Sequence, residues 1–316
     1  MLLAASAASS ALIDEVQAYR MDAIDNPIFV RGMSRSGGTL LVTLLDAHRD
    51  IAMSYELYPN LLEGGSGLDL KALAKGLQSS WKTALGRVSL DAMVPDKRTR
   101  TFFARCERGG LTLAEVGVLV AQLVSEGLDF SSDKGRFRMV ELLGLEKMRK
   151  LGKSRWGMKC SNDFDGYLAA WKNPYFLNVL RDGRDVLASQ LNTGDFKNTP
   201  TDVAVGWINT HTRFENYVAA PGVNARMVRY EHLVTDPEPE LRGIFEFLGL
   251  AFDPATLHHE EQNLTVFKAS HLSKKRVQQG VDATKVGRWR QDLSAQQVAE
   301  FMATAGPAMS HFGYDS

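Results

Sequence analysis

Pro27-Ile28-Phe29-Val30-Arg31-Gly32-Met33-Ser34-Arg35-Ser36-Gly37-Gly38-Thr39 sets an apolar run, a glycine- and serine-rich turn and the start of an apolar helix (Leu40, Leu41, Leu44, Leu45) in that order. A short buried strand that passes through a tight loop into a helix aims loop N–H groups and the positive helix end at one point, which makes a cradle for an anion. Gly32-x4-Gly37-Gly38-Thr39 has the spacing of a nucleotide-binding P-loop, with Gly38 where the lysine would stand. In kinases and ATPases that lysine reaches the β- and γ-phosphates, so its absence removes a main clamp for γ-phosphoryl chemistry. Arg35 supplies a positive charge inside the loop instead. Such a loop suits a shorter anion with one terminal group to be transferred.

Working outward, strand-like apolar runs recur at 28–31, 51–54, 155–159, 175–180 and 225–230, with helical stretches between them. That alternation implies a parallel sheet covered on both faces. Residues 60–150 break the pattern: they are helix-rich and strand-poor, and read as a helical cap inserted over the sheet edge. The expected fold is a single α/β domain, a P-loop-like three-layer sandwich with a central parallel sheet and that cap, preceded by an N-terminal extension over 1–24. Val234-Thr235-Asp236-Pro237 reads as a helix entry with Gly249 as its stop, and Ser294 with Gln297 as a capping box on the last helix.

A second anion site is suggested at 175–180, an apolar strand that ends on Arg181-Asp182-Gly183-Arg184-Asp185 and enters a helix through Val186, Leu187 and Ser189. Arg181 at a strand's carboxyl end and Ser189 two turns into the following helix can converge on one external group, and an arginine fork with a hydroxyl fits a dianionic phosphate. The alternative is an Arg–Asp network that only shapes the turn, with Asp182, Arg184 and Asp185 capping the helix.

Together these segments resemble the sulfotransferases that use 3′-phosphoadenosine-5′-phosphosulfate (PAPS). Arg35-Ser36-Gly37-Gly38-Thr39 is similar to the family's 5′-phosphosulfate loop, and Arg181 through Ser189 to its 3′-phosphate motif, with arginine and serine at the family spacing. Val228-Arg229-Tyr230-Glu231-His232-Leu233-Val234 and Gly287-Arg288-Trp289-Arg290 are similar to later blocks, and Leu45-Asp46-Ala47-His48 looks most like the protein-tyrosine and bacterial branch. In that branch a glutamate acts as general base, and counting from the loop arginine puts Glu56 on its position, with Tyr55 where relatives often have a second acid. Trp156-Gly157-Met158-Lys159 resembles the block that carries a lysine beside the transferred group, although Cys160-Ser161 departs from the family's usual continuation. The family's Arg-Lys-Gly phosphate clamp is absent before Gly287; Lys285 or Arg288 stand as substitutes.

The resemblance implies sulfuryl transfer from PAPS to a hydroxyl acceptor, with release of 3′,5′-bisphosphoadenosine and no metal ion. Arg35, Ser36, Gly37, Gly38 and Thr39 would hold the 5′-phosphosulfate. Arg181 and Ser189 would select the 3′-phosphate that ATP lacks, and Tyr230 would either stack near adenine or pack in the core. Lys159 would offset charge on the bridging oxygen, an effect worth ~3 kcal/mol. Glu56 would take the acceptor proton; its ordinary pKa of about 4.3 is low for this, so the expectation is a pKa raised by burial or a late transition state. A P-loop kinase and a catalytically silent nucleotide-binding module are the competing classes.

Composition bounds the rest. Lys+Arg and Asp+Glu are both 37 in 316 residues, so the net charge is zero, against nucleic acid or a strongly polyanionic partner. Cys106 and Cys160 have neither metal nor disulfide-framework spacing, and the apolar start over 1–12 lacks a basic flank, so a cytoplasmic setting and no signal peptide are expected. No membrane-spanning run is present. His48 reads as a structural hydrogen-bonder. His258-His259-Glu260-Glu261 is rejected as a metal site because adjacent residues diverge on a helix. Acceptor recognition is expected in 59–150 and 194–216, where Trp81, Phe102, Phe103, Phe196, Trp207 and Phe214 line a pocket or fill the core.

Overall fold

Strands β1 (Ile28–Gly32), β2 (Ile51–Ser54), β3 (Arg155–Lys159), β4 (Tyr175–Leu180) and β5 (Asn224–Arg229) form one parallel sheet in the order β2-β3-β1-β4-β5. The protein is known from a computed structural model that describes residues 26–79, 90–161, 164–194, 196–262, 264 and 280–314. The expected N-terminal extension and Trp81 lie outside the described residues. β1 is central, with Val30 opposite both Lys159 of β3 and Leu177 of β4. After β1 the chain moves to one side of the sheet and later returns to the other. The crevice at the strands' carboxyl ends therefore opens beside β1, where a doubly wound sheet binds its ligand.

The strands alternate between two apolar faces, which is why both need cover. Ile28, Val30, Met53, Leu177 and Val179 pack on Leu41, Leu44 and Leu45 of α1 (Gly38–Asp46) and on Leu241, Ile244 and Phe245 of a later helix. Phe29, Trp156 and Phe176 face the other way, onto residues of the 60–150 segment. That segment opens with a 3-10 turn, Pro59–Gly65. It continues as α2 (Leu70–Ser79), α3 (Leu90–Met93), α4 (Lys97–Arg108), α5 (Leu113–Ser125) and α6 (Asp133–Leu151). A Cβ on Gly144 would come within 2.4 Å of the Trp156 ring, so α6 is pressed onto β3 through a residue with no side chain.

The segment is therefore more than a cap over the sheet edge. β2 and β3 are adjacent and parallel, and a parallel pair requires a crossover that returns across the sheet. α6 is that crossover, and it forms one of the three layers.

The chain continues through α7 (Phe164–Ala170), α8 (Gly183–Thr193), α9 (Pro200–Ala219), α10 (Tyr230–Thr235) and α11 (Pro237–Leu248), the helix that covers the α1 face. Gly249 ends α11 in the left-handed conformation at φ 71°. The last described helices are α12 (Trp289–Asp292) and α13 (Ala295–His311), the latter with the expected Ser294–Gln297 capping box. A third apolar cluster (Leu180, Val186, Leu187, Trp207, Phe301, Met309) joins α8, α9 and α13. Strand boundaries shift by one residue at β1, which runs on to Gly32, and at both ends of β5, which starts at Asn224 and stops at Arg229, so that Tyr230 opens α10 instead of ending the strand. No helix among the described residues is long and apolar enough to cross a membrane.

Candidate active site

The loop between β1 and α1 closes by a turn in which Ser36 N donates to Met33 O at 3.0 Å. Gly37 caps α1 at φ 100°, and a Cβ there would lie 2.4 Å from Tyr230 Cδ2, so both conformation and space require glycine. Ser36 is fully buried and its Oγ has no hydrogen-bond partner. Thr39 Oγ1 lies 3.5 Å from the Tyr55 hydroxyl.

The two motif segments meet across this loop. Arg35 Nε donates to Ser189 Oγ at 3.0 Å, and Arg181 Nη1 donates to Arg35 O at 3.1 Å. Arg181 Nη2 donates to Lys285 O at 2.6 Å, its guanidinium lies 4.3 Å over the Tyr230 ring, and its Nε is buried with no partner. Asp182 caps α8 through Arg184 N (2.9 Å) and also holds the Arg184 guanidinium. Asp185 accepts from Gly287 N at 2.8 Å and Trp289 N at 2.9 Å, which ties the late segment to α8. Burial pushes the Asp185 carboxyl above its ordinary range against the pull of those donors and of Arg181.

On the opposite rim Glu56 accepts from Lys159 Nζ at 2.8 Å through Oε1 and pairs with Arg105 Nη2 at 3.2 Å through Oε2. Arg105 Nη1 also donates to the Glu56 carbonyl at 2.7 Å, and its guanidinium lies 5.1 Å from the Tyr58 ring centre. Lys159 Nζ is 5.1 Å from the centre of the Tyr55 ring, and its Cε approaches Gly38 closely enough to touch an added Cβ (3.6 Å). Lys159 thus spans from the loop to the carboxylate. Glu56 has φ 56° and Arg35 φ 79°, and they are the two non-glycine residues with positive φ among those described. Left-handed backbone at an ordinary side chain costs roughly 1–3 kcal/mol and persists where surrounding contacts over-determine it.

Of the two alternatives for Glu56, the raised pKa is contradicted. Burial raises it, but Lys159 and then Arg105 outweigh burial, and the carboxyl sits below its ordinary value. Lys159 moves the other way: burial pulls it down, while Tyr55 and Glu56 raise it above its usual value. The two shifts describe one ion pair, ionised at neutral pH.

Arg35, Ser36, Gly37, Gly38, Thr39, Arg181, Ser189, Glu56 and Lys159 therefore come together as expected. Lys285 joins them through its carbonyl, while its Nζ faces Asp282 at 3.6 Å. The Arg288 guanidinium is tied to Asp292 at 2.6 Å. Tyr230 is 6% exposed and packs against Gly37 and Arg181. Phe102, Phe103, Trp207 and Phe214 are fully buried core. Phe196 is half-buried. His48 Nδ1 accepts from Asp50 N at 3.0 Å, so Nε2 carries the proton it gives to Ala251 O at 2.9 Å, a structural role.

Arg105 is the residue that sequence reasoning missed. Its one signal is position: it borders the buried stripe Thr99, Phe102, Phe103, Cys106 of α4. The divergence argument at His258 also fails. A kink at His258 brings ligand atoms of His258, Glu260 and Glu261 within 4.8 Å of one another. These groups are largely solvated, and no metal role is assigned to them.

A loop-and-helix anion cradle facing an ionised Glu–Lys pair across a parallel-sheet crevice defines a transferase of an anionic group. Residues 27–254 match the family model described as "Sulfotransferase family", and the chain belongs to that family. It is 24% identical over 299 residues to protein-tyrosine sulfotransferase A of Caenorhabditis elegans, covering 91% of this chain and 67% of that protein. It is 24% identical over 300 residues to the protein-tyrosine sulfotransferase of Drosophila melanogaster, covering 91% and 51% respectively. The chain thus spans half to two thirds of the length of these relatives. Among solved structures, the sulfotransferase domain of the curacin biosynthetic pathway superposes with a TM-score of 0.59 at 17% identity, covering 93% of this chain and 99% of that one. That of the Synechococcus PCC 7002 olefin synthase gives 0.58 at 17% identity, covering 92% and 95%. These likenesses establish the fold.

Proposed function

We propose that this sulfotransferase moves the sulfuryl group of PAPS to a hydroxyl acceptor, with Glu56 as general base and release of 3′,5′-bisphosphoadenosine. The observation that carries the reading is the Glu56–Lys159 pair at 2.8 Å, set at the loop's rim opposite the Arg35–Ser189–Arg181 group. Two buried polar atoms of the cradle, Ser36 Oγ and Arg181 Nε, have no hydrogen-bond partner, and a bound phosphate and phosphosulfate would satisfy them. The loop N–H groups, Arg35 and Thr39 hold the 5′ end, and Arg181 with Ser189 reads the 3′-phosphate.

In the reaction Glu56 Oε accepts the acceptor's proton as the acceptor oxygen bonds to sulfur. The bond from sulfur to the bridging oxygen breaks, and Lys159 donates to the oxygen that keeps the electron pair. Lys159 serves Glu56 before transfer and the bridging oxygen during it, so its shift releases Glu56 from its nearest positive partner. A carboxylate that is fully ionised beforehand gains basicity when the base is needed. Positioning and electrostatics supply the catalysis, as in phosphoryl transfer. The reading leaves the acceptor among small alcohols, phenols, lipids, glycans or tyrosine side chains.

The test is calorimetric binding of 3′,5′-bisphosphoadenosine against ADP and ATP–magnesium, on wild type and Arg181→Ala. Tight bisphosphate binding that collapses in the variant supports the reading. Preference for ATP–magnesium, or indifference to Arg181, overturns it in favour of a phosphotransferase.

A further inference from the structure

Arg31 is the last residue but one of the central strand. Its neighbour Val30 pairs with Lys159, and Cys160 N donates to Val30 O at 2.9 Å. Arg31 is 6% exposed, its guanidinium lies 5.2 Å from the centre of the Phe164 ring, and its Nε and Nη1 are sealed from solvent with no hydrogen-bond partner. Among the described residues no carboxylate pairs with it.

Its surroundings do not replace one. Burial pulls its pKa down, Cys160, Tyr58 and Tyr167 are the groups that ease it, and Arg213 adds like charge. His211 is neutral, driven down to about 3 by burial and by Arg31 itself. An unpaired buried charge is among the most destabilising features a core can hold, and an apolar side chain of similar shape would serve the fold better. A residue that costs stability and sits at the edge of a reaction crevice is one whose partner arrives with a ligand.

Tyr58 connects this site to the base: it lies two residues beyond Glu56, under the Arg105 guanidinium, and near Arg31. We infer that Arg31 is the anion subsite of the acceptor pocket, and that the acceptor carries a negatively charged group, a carboxylate in the simplest case, a few bonds from the hydroxyl presented to Glu56. The donor-side residues Arg35 and Arg181 lie on the other rim, so this anion is additional to those of the nucleotide. The inference rests on the proposed role of Glu56 and leaves the donor's identity aside.

The test needs no turnover. With 3′,5′-bisphosphoadenosine present, binding of three hydroxy acids and their amides (4-hydroxyphenylacetate, 4-hydroxybutyrate and gluconate, each against its amide) is measured by calorimetry on wild type, Arg31→Met and Arg31→Lys. Two charge-assisted bonds to one carboxylate correspond to a preference of at least about hundredfold for the acid. That preference should fall to about unity in Arg31→Met and to an intermediate value in Arg31→Lys, which keeps the charge and loses the fork. Free Arg31→Met protein should melt at or above the wild-type temperature. Equal binding of acid and amide, no binding by any pair, or a large loss of melting temperature in Arg31→Met overturns the subsite. An equal Arg31-dependent heat from inorganic sulfate alone makes it a general anion hole and overturns the acceptor assignment. Bisphosphate binding, recorded in the same cell, tests the donor reading separately.

Discussion

Glu56→Gln is the most incisive substitution because it changes charge and basicity while keeping the shape. The Arg105 bond to the Glu56 carbonyl and the left-handed backbone can both persist, since neither uses the carboxylate. What goes is the charge that accepts from Lys159 at 2.8 Å and pairs with Arg105 at 3.2 Å. Loss of a general base costs about 10²–10⁴ in rate. Leaving two largely buried cations with a neutral amide costs about 1–3 kcal/mol of stability, several degrees of melting temperature for a chain of this size. The sign with pH follows from the depressed carboxyl. Its stabilising contribution is fully present above the unfolded value near pH ~4.3 and is lost as pH falls through the lower folded value. The melting gap between wild type and Glu56→Gln should therefore be full at neutral pH and close in strong acid, where the wild-type carboxyl is itself neutral. Initial rates, bisphosphate calorimetry and melts across pH measure all three quantities. A turnover within twofold of wild type refutes the base assignment, and a gap that persists unchanged into acid refutes the ion-pair account.

Other consequences are equally concrete. Arg181→Ala should weaken 3′,5′-bisphosphoadenosine binding by about tenfold to hundredfold and leave ADP binding nearly unchanged, as calorimetry with both ligands would record. Gly37→Ala should abolish bisphosphate binding, because the new methyl meets Tyr230 Cδ2 at 2.4 Å in a backbone of φ 100°; retained affinity would refute the need for glycine there. Asp185→Ala should release Gly287 and Trp289 N–H, and faster amide hydrogen exchange confined to 280–289 is the expected readout. Lys147 is 2% exposed, reaches the Met53 carbonyl, and is pulled by burial down to about 8. Its unfolded form binds more protons between pH ~8 and ~10.4, so wild-type stability should rise over that window relative to Lys147→Met, by denaturant melts.

The strand–loop–helix at 27–45, both strand ends at Lys159 and Arg181, and the Ser189 partner were legible because their information is local: apolar runs, punctuating glycines and fixed spacings. Arg105 was not, since it reaches Glu56 from 49 positions away on a helix whose sequence marks only a buried stripe. That 60–150 supplies a layer as well as a cap was equally hidden. It follows from β2 and β3 being neighbours, a pairing that no residue in either strand announces. The raised-pKa alternative for Glu56 fell for the same reason. Burial could be guessed from the sequence, whereas the two cations that outweigh it come from β3 and α4.

Charge distribution connects these observations. A chain of zero net charge sets Arg31, Arg35, Arg105, Lys159 and Arg181 around one crevice, where Glu56 pairs with Arg105 and Lys159, and Asp185 with Arg181. Buried and half-buried cations set close together cost stability, and a bound anion offsets that cost. Binding of a polyanionic donor should then stabilise this protein by more than its contacts alone suggest, because it relieves repulsion already present. The strain at Arg35 and Glu56 points the same way: one residue of each rim is held in left-handed backbone by partners from distant strands and helices. Stability gained on adding the bisphosphate measures how much of that cost a bound anion relieves.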